Sequence, residues 1–192
     1  MRSLAPIALL ALAGCARTAP PAPPECPVGL ALDAAAPLQG VPVETTAPGA
    51  CLAARAEAGD VGAQIRLGDF YHALPGPLPL IDRRGRELHW YRLAADHGSP
   101  QAAWAAAQLI DRDMDLQVPN DALAYAITAL KGGIEDADDF IVDEYQSGRI
   151  DPGKLWGLRR WMDTPGAISA ARRQAILEGL AQPPGDELEE EG

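Results

Sequence analysis

Between residues 51 and 145, small and apolar side chains recur at intervals that fit a helix rather than a strand. Three glycines set the phase: Gly59, Gly98 and Gly133, spaced 39 and then 35 residues apart. Gly59 is followed by Ala63, Gln64, Leu67, Gly68 and Tyr71, and Gly98 by Ala102, Ala103, Ala106, Ala107 and Ile110. After Gly133 the same places hold Ala137, Asp138, Ile141, Val142 and Tyr145. Offsets of i, i+4, i+5 and i+8 trace one stripe of a helix with 3.6 residues per turn. Counting backwards, Cys51, Trp90 and Tyr125 stand eight residues before each glycine, and Arg55, Ala94 and Ala129 stand four before. Each glycine is therefore predicted to close one helix, where a C-terminal turn needs positive φ. Ser99 as N-cap and Pro100 at the first helical position then open the next.

Helix pairs at this period are the mark of α-solenoids. At Ala63, Leu67, Gly68 and Tyr71, and again at Trp90, Tyr91, Ala94, Ala95 and Gly98, the chain resembles the Sel-1-like repeat, a relative of the tetratricopeptide repeat. Units of that family read roughly A-x-x-x-L-G-x-x-Y and then W-Y-x-x-A-A-x-x-G. The later copies depart from it: Ala107 and Val142 stand where Gly68 does, and Tyr125-Ala126 replaces Trp90-Tyr91. The resemblance covers roughly Cys51 to Tyr145, and the alternative is an unrelated alanine-rich helical bundle. It implies an all-α fold, a right-handed α-solenoid of about three degenerate helix pairs with a C-terminal helical cap. It also implies a module that holds a partner protein and catalyses nothing. With first helices lining the concave side, Arg66, Asp69, Trp104 and Gln108 lie off the core stripe and are candidate partner contacts. Trp104 leads them, because exposed aromatics anchor interfaces.

The flanks read differently. Residues 1–14 carry Arg2, a short apolar run from Leu4 to Ala13, and then Leu12-Ala13-Gly14-Cys15, which resembles a bacterial lipobox. The run is too short to span a bilayer. The resemblance implies cleavage before Cys15 and acylation there, and Ala16 in the next place implies sorting to the outer membrane, facing the periplasm. A plain secretory signal with a chance cysteine is the alternative. Residues 15–48 are rich in proline and read as a disordered, semi-stiff tether. Residues 49–150 hold the repeats and 151–182 a capping pair, with Asp151-Pro152 and Thr164-Pro165 as helix starts. The apolar side of the first cap helix is read as Leu155, Trp156, Leu158 and Trp161, and the second runs to about Ala181. Residues 183–192, PPGDELEEEG, are an acidic tail with nothing to bury, hence disordered.

Charge and chemistry narrow the function by exclusion. The net charge of −11 leaves no basic stripe to neutralise nucleic-acid phosphates, and contact with the membrane is expected through the lipid alone. In an exported chain Cys26 and Cys51 read as a disulfide; no C-x-x-C spacing supports a redox role. The histidines His72, His89 and His97 lack metal-ligand spacing. Asp111, Asp113 and Asp115 imitate a calcium loop whose glycine and glutamate places hold Leu116 and Ala122. That stretch reads as a connection, with Asn120 or Asp121 capping the next helix. Three prolines between Tyr71 and Arg86 predict an inserted loop there. The acidic opening Glu135, Asp136, Asp138 and Asp139 suits a helix N-terminus. No nucleotide-binding or G-x-S-x-G motif occurs, so neither a catalytic set nor a cofactor is expected. An envelope glycan- or peptidoglycan-active accessory enzyme, built on two converging carboxylates, is the competing function; a purely structural spacer is the third.

Overall fold

The computed structural model describes residues 25–26, 31–32, 35–74, 80–112 and 119–182. Residues 1–14, read as a signal, Cys15, Asp113, Asp115 and the acidic residues 183–192 lie outside the described residues. The described chain is helical throughout, with no strand. The helices are α1 (Ala35–Leu38), α2 (Ala47–Glu57), α3 (Val61–Ala73), α4 (Leu80–Asp96), α5 (Pro100–Arg112), α6 (Pro119–Lys131) and α7 (Asp136–Gln146). After a 3-10 turn at Pro152–Leu155 come α8 (Trp156–Met162) and α9 (Ala170–Gly179). From α2 to α7 each helix packs on the one before it, and α9 returns to α7. No described helix is long and apolar enough to cross a membrane.

The glycine hinges are all present, and they share one hydrogen-bond pattern. Gly59, Gly98 and Gly133 have φ of 92°, 93° and 90°. In each, the glycine N–H donates to the carbonyl three residues back, and the next N–H to the carbonyl five back: Gly98 to Ala95 and Ser99 to Ala94, both at 2.9 Å. Gly148 (φ 72°) closes α7 in the same way. This is the Schellman arrangement, which satisfies the last carbonyls of a helix and turns the chain sharply. After Gly59 and Gly98 the following helix is then capped by a side chain, Asp60 Oδ1 accepting from Ala63 N at 3.0 Å and Ser99 Oγ from Ala102 N at 3.2 Å, whereas Glu135 at the start of α7 makes no such bond.

Small residues stand where the helices touch. Ala94, Ala103, Ala106, Ala107, Ala126, Ala129 and Ala137 are all fully buried. Gly68 shows why size matters: a Cβ there would lie 2.6 Å from Tyr91 Cε1. Tyr91 cannot yield easily, because it is buried and its hydroxyl donates to Asp69 Oδ1 at 2.8 Å. Gly68→Ala is therefore expected to destabilise the fold by about 1–3 kcal/mol through overpacking. Urea unfolding measures it, and an unchanged midpoint would mean that α3 and α4 do not approach this closely.

Several boundaries differ from those expected. Leu80–Gly85 belongs to α4 and not to an inserted loop, since the last of the three prolines is Pro79 and nothing beyond it interrupts a helix. Pro119 opens α6, which places Asn120 and Asp121 inside the first turn rather than at the cap. Thr164-Pro165 does not start a helix: Gly166 at φ 78° turns the chain, and Ser169 caps α9 by accepting from Arg172 N at 3.2 Å. The stretch between Ala35 and Pro48, expected as tether, is already folded. Val43 is fully buried, its N–H donating to Tyr71 Oη at 3.1 Å. Trp156, expected on the apolar side of its helix, is 66% exposed; Leu155, Leu158 and Met162 face the core instead.

Candidate functional site

Two solvent-open grooves flank α4. The first lies between the C-terminal halves of α3 and α5 and encloses about 180 Å³. From α4 it takes Arg84, Glu87 and Tyr91, from α3 His72, and from α5 the stripe that includes Gln108 and Arg112. Residues three, four and seven apart share one side of a helix, which brings these α5 positions together. Glu87 is its fixed point. This carboxylate is only 1% exposed and accepts from His72 Nδ1 at 2.6 Å and Arg84 at 3.0 Å. The buried charge is thus paired on both oxygens, as such a group must be. Because Nδ1 of His72 donates to the carboxylate, its Nε2 remains available. Arg112 is exposed and makes no ion pair among the described residues. Burial, and then the Asp69 carboxylate, push the Tyr91 hydroxyl above the ordinary phenol range, so it stays a proton donor.

The second groove is larger, about 530 Å³, and lies between α4 and the segment leading into α2. Three carboxylates border it: Glu44, Glu57 and Asp82. Glu44 is committed to holding the fold, since Tyr71 Oη donates to one oxygen and Trp90 Nε1 to the other at 2.9 Å. Arg86 stands 3.8 Å from the same carboxylate and lies over the Tyr71 ring. Burial, followed by the Glu44 hydrogen bond, raises the Tyr71 pKa. A glycosidase pair needs two carboxyl groups able to exchange protons with substrate, and Glu44 is occupied on both oxygens by structural donors.

The four candidate contacts stand in different surroundings. Gln108 lines the smaller groove, and Asp69 accepts from the hydroxyl of Tyr91, another of its lining residues. Arg66 is exposed on α3. Trp104 is half-buried and stands edge-on to Phe140 of α7, ring centroids 5.5 Å apart, so its bulk fills the space between neighbouring helices. Arg84, Glu87 and Arg112 do not stand out in the sequence, and His72 does so only as a histidine without metal-ligand spacing. Glu87 carried a usable mark: it sits four residues before Tyr91 on the inner stripe of α4, where a carboxylate requires partners.

Other charged contacts stitch the fold. Arg172 of α9 donates to Asp138 at 2.6 and 3.1 Å and to the carbonyls of Ile134 and Glu135 at 2.7 Å. Burial alone would raise the Asp138 pKa, but Arg172 outweighs it and leaves the carboxyl below its usual range. Asp138 is therefore engaged inside the molecule rather than offered as an acidic recognition patch. Arg149 bridges Asp111, at 3.5 Å, and the buried Glu144. Burial raises the Glu144 pKa above the ordinary carboxyl value. No group of His, Cys, Asp and Glu among the described residues is arranged to hold a metal ion. Cys26 and Cys51 are joined by a disulfide, with Cα atoms 5.8 Å apart. No family model, no curated protein and no solved structure matches the chain.

Proposed function

We propose that this chain is a scaffold that holds another envelope protein in the groove between α3 and α5. In this reading the helices form a right-handed solenoid of about three degenerate Sel-1-like pairs with α8 and α9 as cap. A lipid on Cys15 keeps the module at the outer membrane, facing the periplasm. The observation that carries the reading is the recurrence of one hinge, the Schellman turn at Gly59, Gly98 and Gly133, between helices that each pack on their predecessor. A helix pair of this kind cannot bury its own face alone, and stacking leaves one side of the first helices open. In the groove the polar ends of His72, Gln108 and Arg112 meet the rim of Tyr91, a mixture suited to a peptide segment rather than to a small apolar ligand.

Site-specific photo-crosslinking in membranes of the producing organism tests this. A benzophenone side chain at Gln108 is expected to trap one discrete partner, and Arg112→Glu to weaken that adduct. The same probe at Ala124, exposed on α6, is expected to trap none. Identical adduct patterns from the two positions, or none from Gln108, would remove the groove from consideration.

A further inference from the structure

Helix α8 presents a face that the fold leaves uncovered, and its chemistry is opposite to that of the rest of the chain. Its inner residues Leu158 and Met162, with Leu155 just before, are buried in the core. Its outer face carries Trp156, 66% exposed, with Arg159 and Arg160 three and four residues on, hence on the same side. Lys154 is exposed immediately before it. Arg149, Arg172 and Arg173 nearby all sit in salt bridges. Lys154, Arg159 and Arg160 form none among the described residues. Three unpaired cations around a bare indole are out of place in a chain of net charge −11.

We infer that this face is the docking surface for the acidic segment of the same chain that follows Gln182. Complementarity is the first reason. Residues 186–191 read DELEEE: Leu188 is bracketed by Asp186, Glu187, Glu189, Glu190 and Glu191, as Trp156 is bracketed by Lys154, Arg159 and Arg160. Position is the second. The Gln182 side chain lies 3.4 Å from Gln146, the last residue of α7, and from Gln146 only eight residues lead to Lys154. The acidic segment therefore leaves the fold at the end of α7 from which the chain enters α8. Reach is the third. Ten residues extend up to roughly 35 Å, whereas a helix of seven residues is about 10 Å long. Tethering completes the case, because a short covalent link holds a ligand at an effective concentration in the millimolar range. Leu188 lies against the indole and the carboxylates pair with the three cations. The contact is electrostatic and exposed, so salt weakens it.

The test uses the full chain and the Trp156 indole N–H resonance, assigned by its loss in Trp156→Phe. It compares the native chain with one in which Asp186→Asn, Glu187→Gln, Glu189→Gln, Glu190→Gln and Glu191→Gln remove the tail charge. At low salt the Trp156 resonance is expected to shift between the two chains, and acrylamide is expected to quench Trp156 more in the neutral one. Native chain in about 0.5 M NaCl, where the screening length falls below about 5 Å, is expected to resemble the neutral one. Arg159→Glu with Arg160→Glu is expected to do the same at low salt. An identical Trp156 resonance in native and neutral chains overturns the inference. So does a Trp156 shift that grows with protein concentration, which would make a second copy the occupant. Binding of the native chain to phosphatidylglycerol vesicles as tight as that of the neutral chain also overturns it, since the face would then be open to an anionic membrane.

Discussion

Replacing Trp90 by alanine is expected to cost about 3–5 kcal/mol of folding stability, the usual penalty for emptying a fully packed aromatic site. Trp90 is 4% exposed and sits in a cluster with Leu52, Ala56, Leu67 and Tyr71, contributed by α2 and α3. Its removal leaves a void where three helices meet. It also deprives the partly buried Glu44 of the indole donor at 2.9 Å, a loss that water in the open groove offsets in part. For a chain of this size the change corresponds to a fall in Tm of about 10–15 °C. Trp156→Ala is the internal control: an exposed side chain of the same type is expected to change stability by no more than about 0.5 kcal/mol. Equal melting shifts for the two tryptophans would contradict the burial of Trp90 and, with it, the packing of α4 on α2 and α3. Trp90→Phe separates the two contributions, since it keeps most of the volume and loses the hydrogen bond.

The hinges were legible in the sequence because one residue type meets a conformational demand there. A C-terminal turn at positive φ selects glycine, and Gly59, Gly98 and Gly133 all occupy that conformation. The core stripes were legible for a similar reason: Ala63, Leu67 and Tyr71, then Ala94 and Ala95, follow the helical period and are buried. Trp156 departs from the expected apolar side because its apolar character does not match its place in the helical period. Leu155, Leu158 and Met162 lie three and seven residues apart and share a face, while Trp156 is rotated about 100° from Leu155. The folding of Ala35–Pro48 was hidden by its proline and alanine content. The burial of Val43 depends on Tyr71, 28 residues further on, and no local pattern encodes that contact. The smaller groove was half visible. Asp69 and Gln108 stand out as polar positions off the stripe, but the pairing of His72 with Glu87 exists only once α3 and α4 lie side by side.

Breaking the Cys26–Cys51 bond is expected to cost about 3.5 kcal/mol, the chain-entropy value for a closed loop of 25 residues. The bond joins the segment ahead of α1 to the first turns of α2. What it holds in place is visible in the packing: Leu32 lies against the same cluster as Trp90, Val43 is fully buried, and Glu44 reaches Tyr71 and Trp90. In the chain carrying Cys26→Ser with Cys51→Ser, that segment retains only its own contacts. Its loosening is expected to appear first as faster hydrogen exchange at the Val43 amide, which donates to Tyr71 Oη. A helix such as α6, far along the chain, is expected to keep its protection until global unfolding. Combining the cysteine changes with Glu44→Gln gives a sharper reading, because both perturb the attachment of one segment. Their effects are then expected to fall short of additivity by more than about 0.5 kcal/mol. Strict additivity, or a melting temperature untouched by reduction, would show that the N-terminal segment is held by packing alone and that the disulfide adds nothing to it.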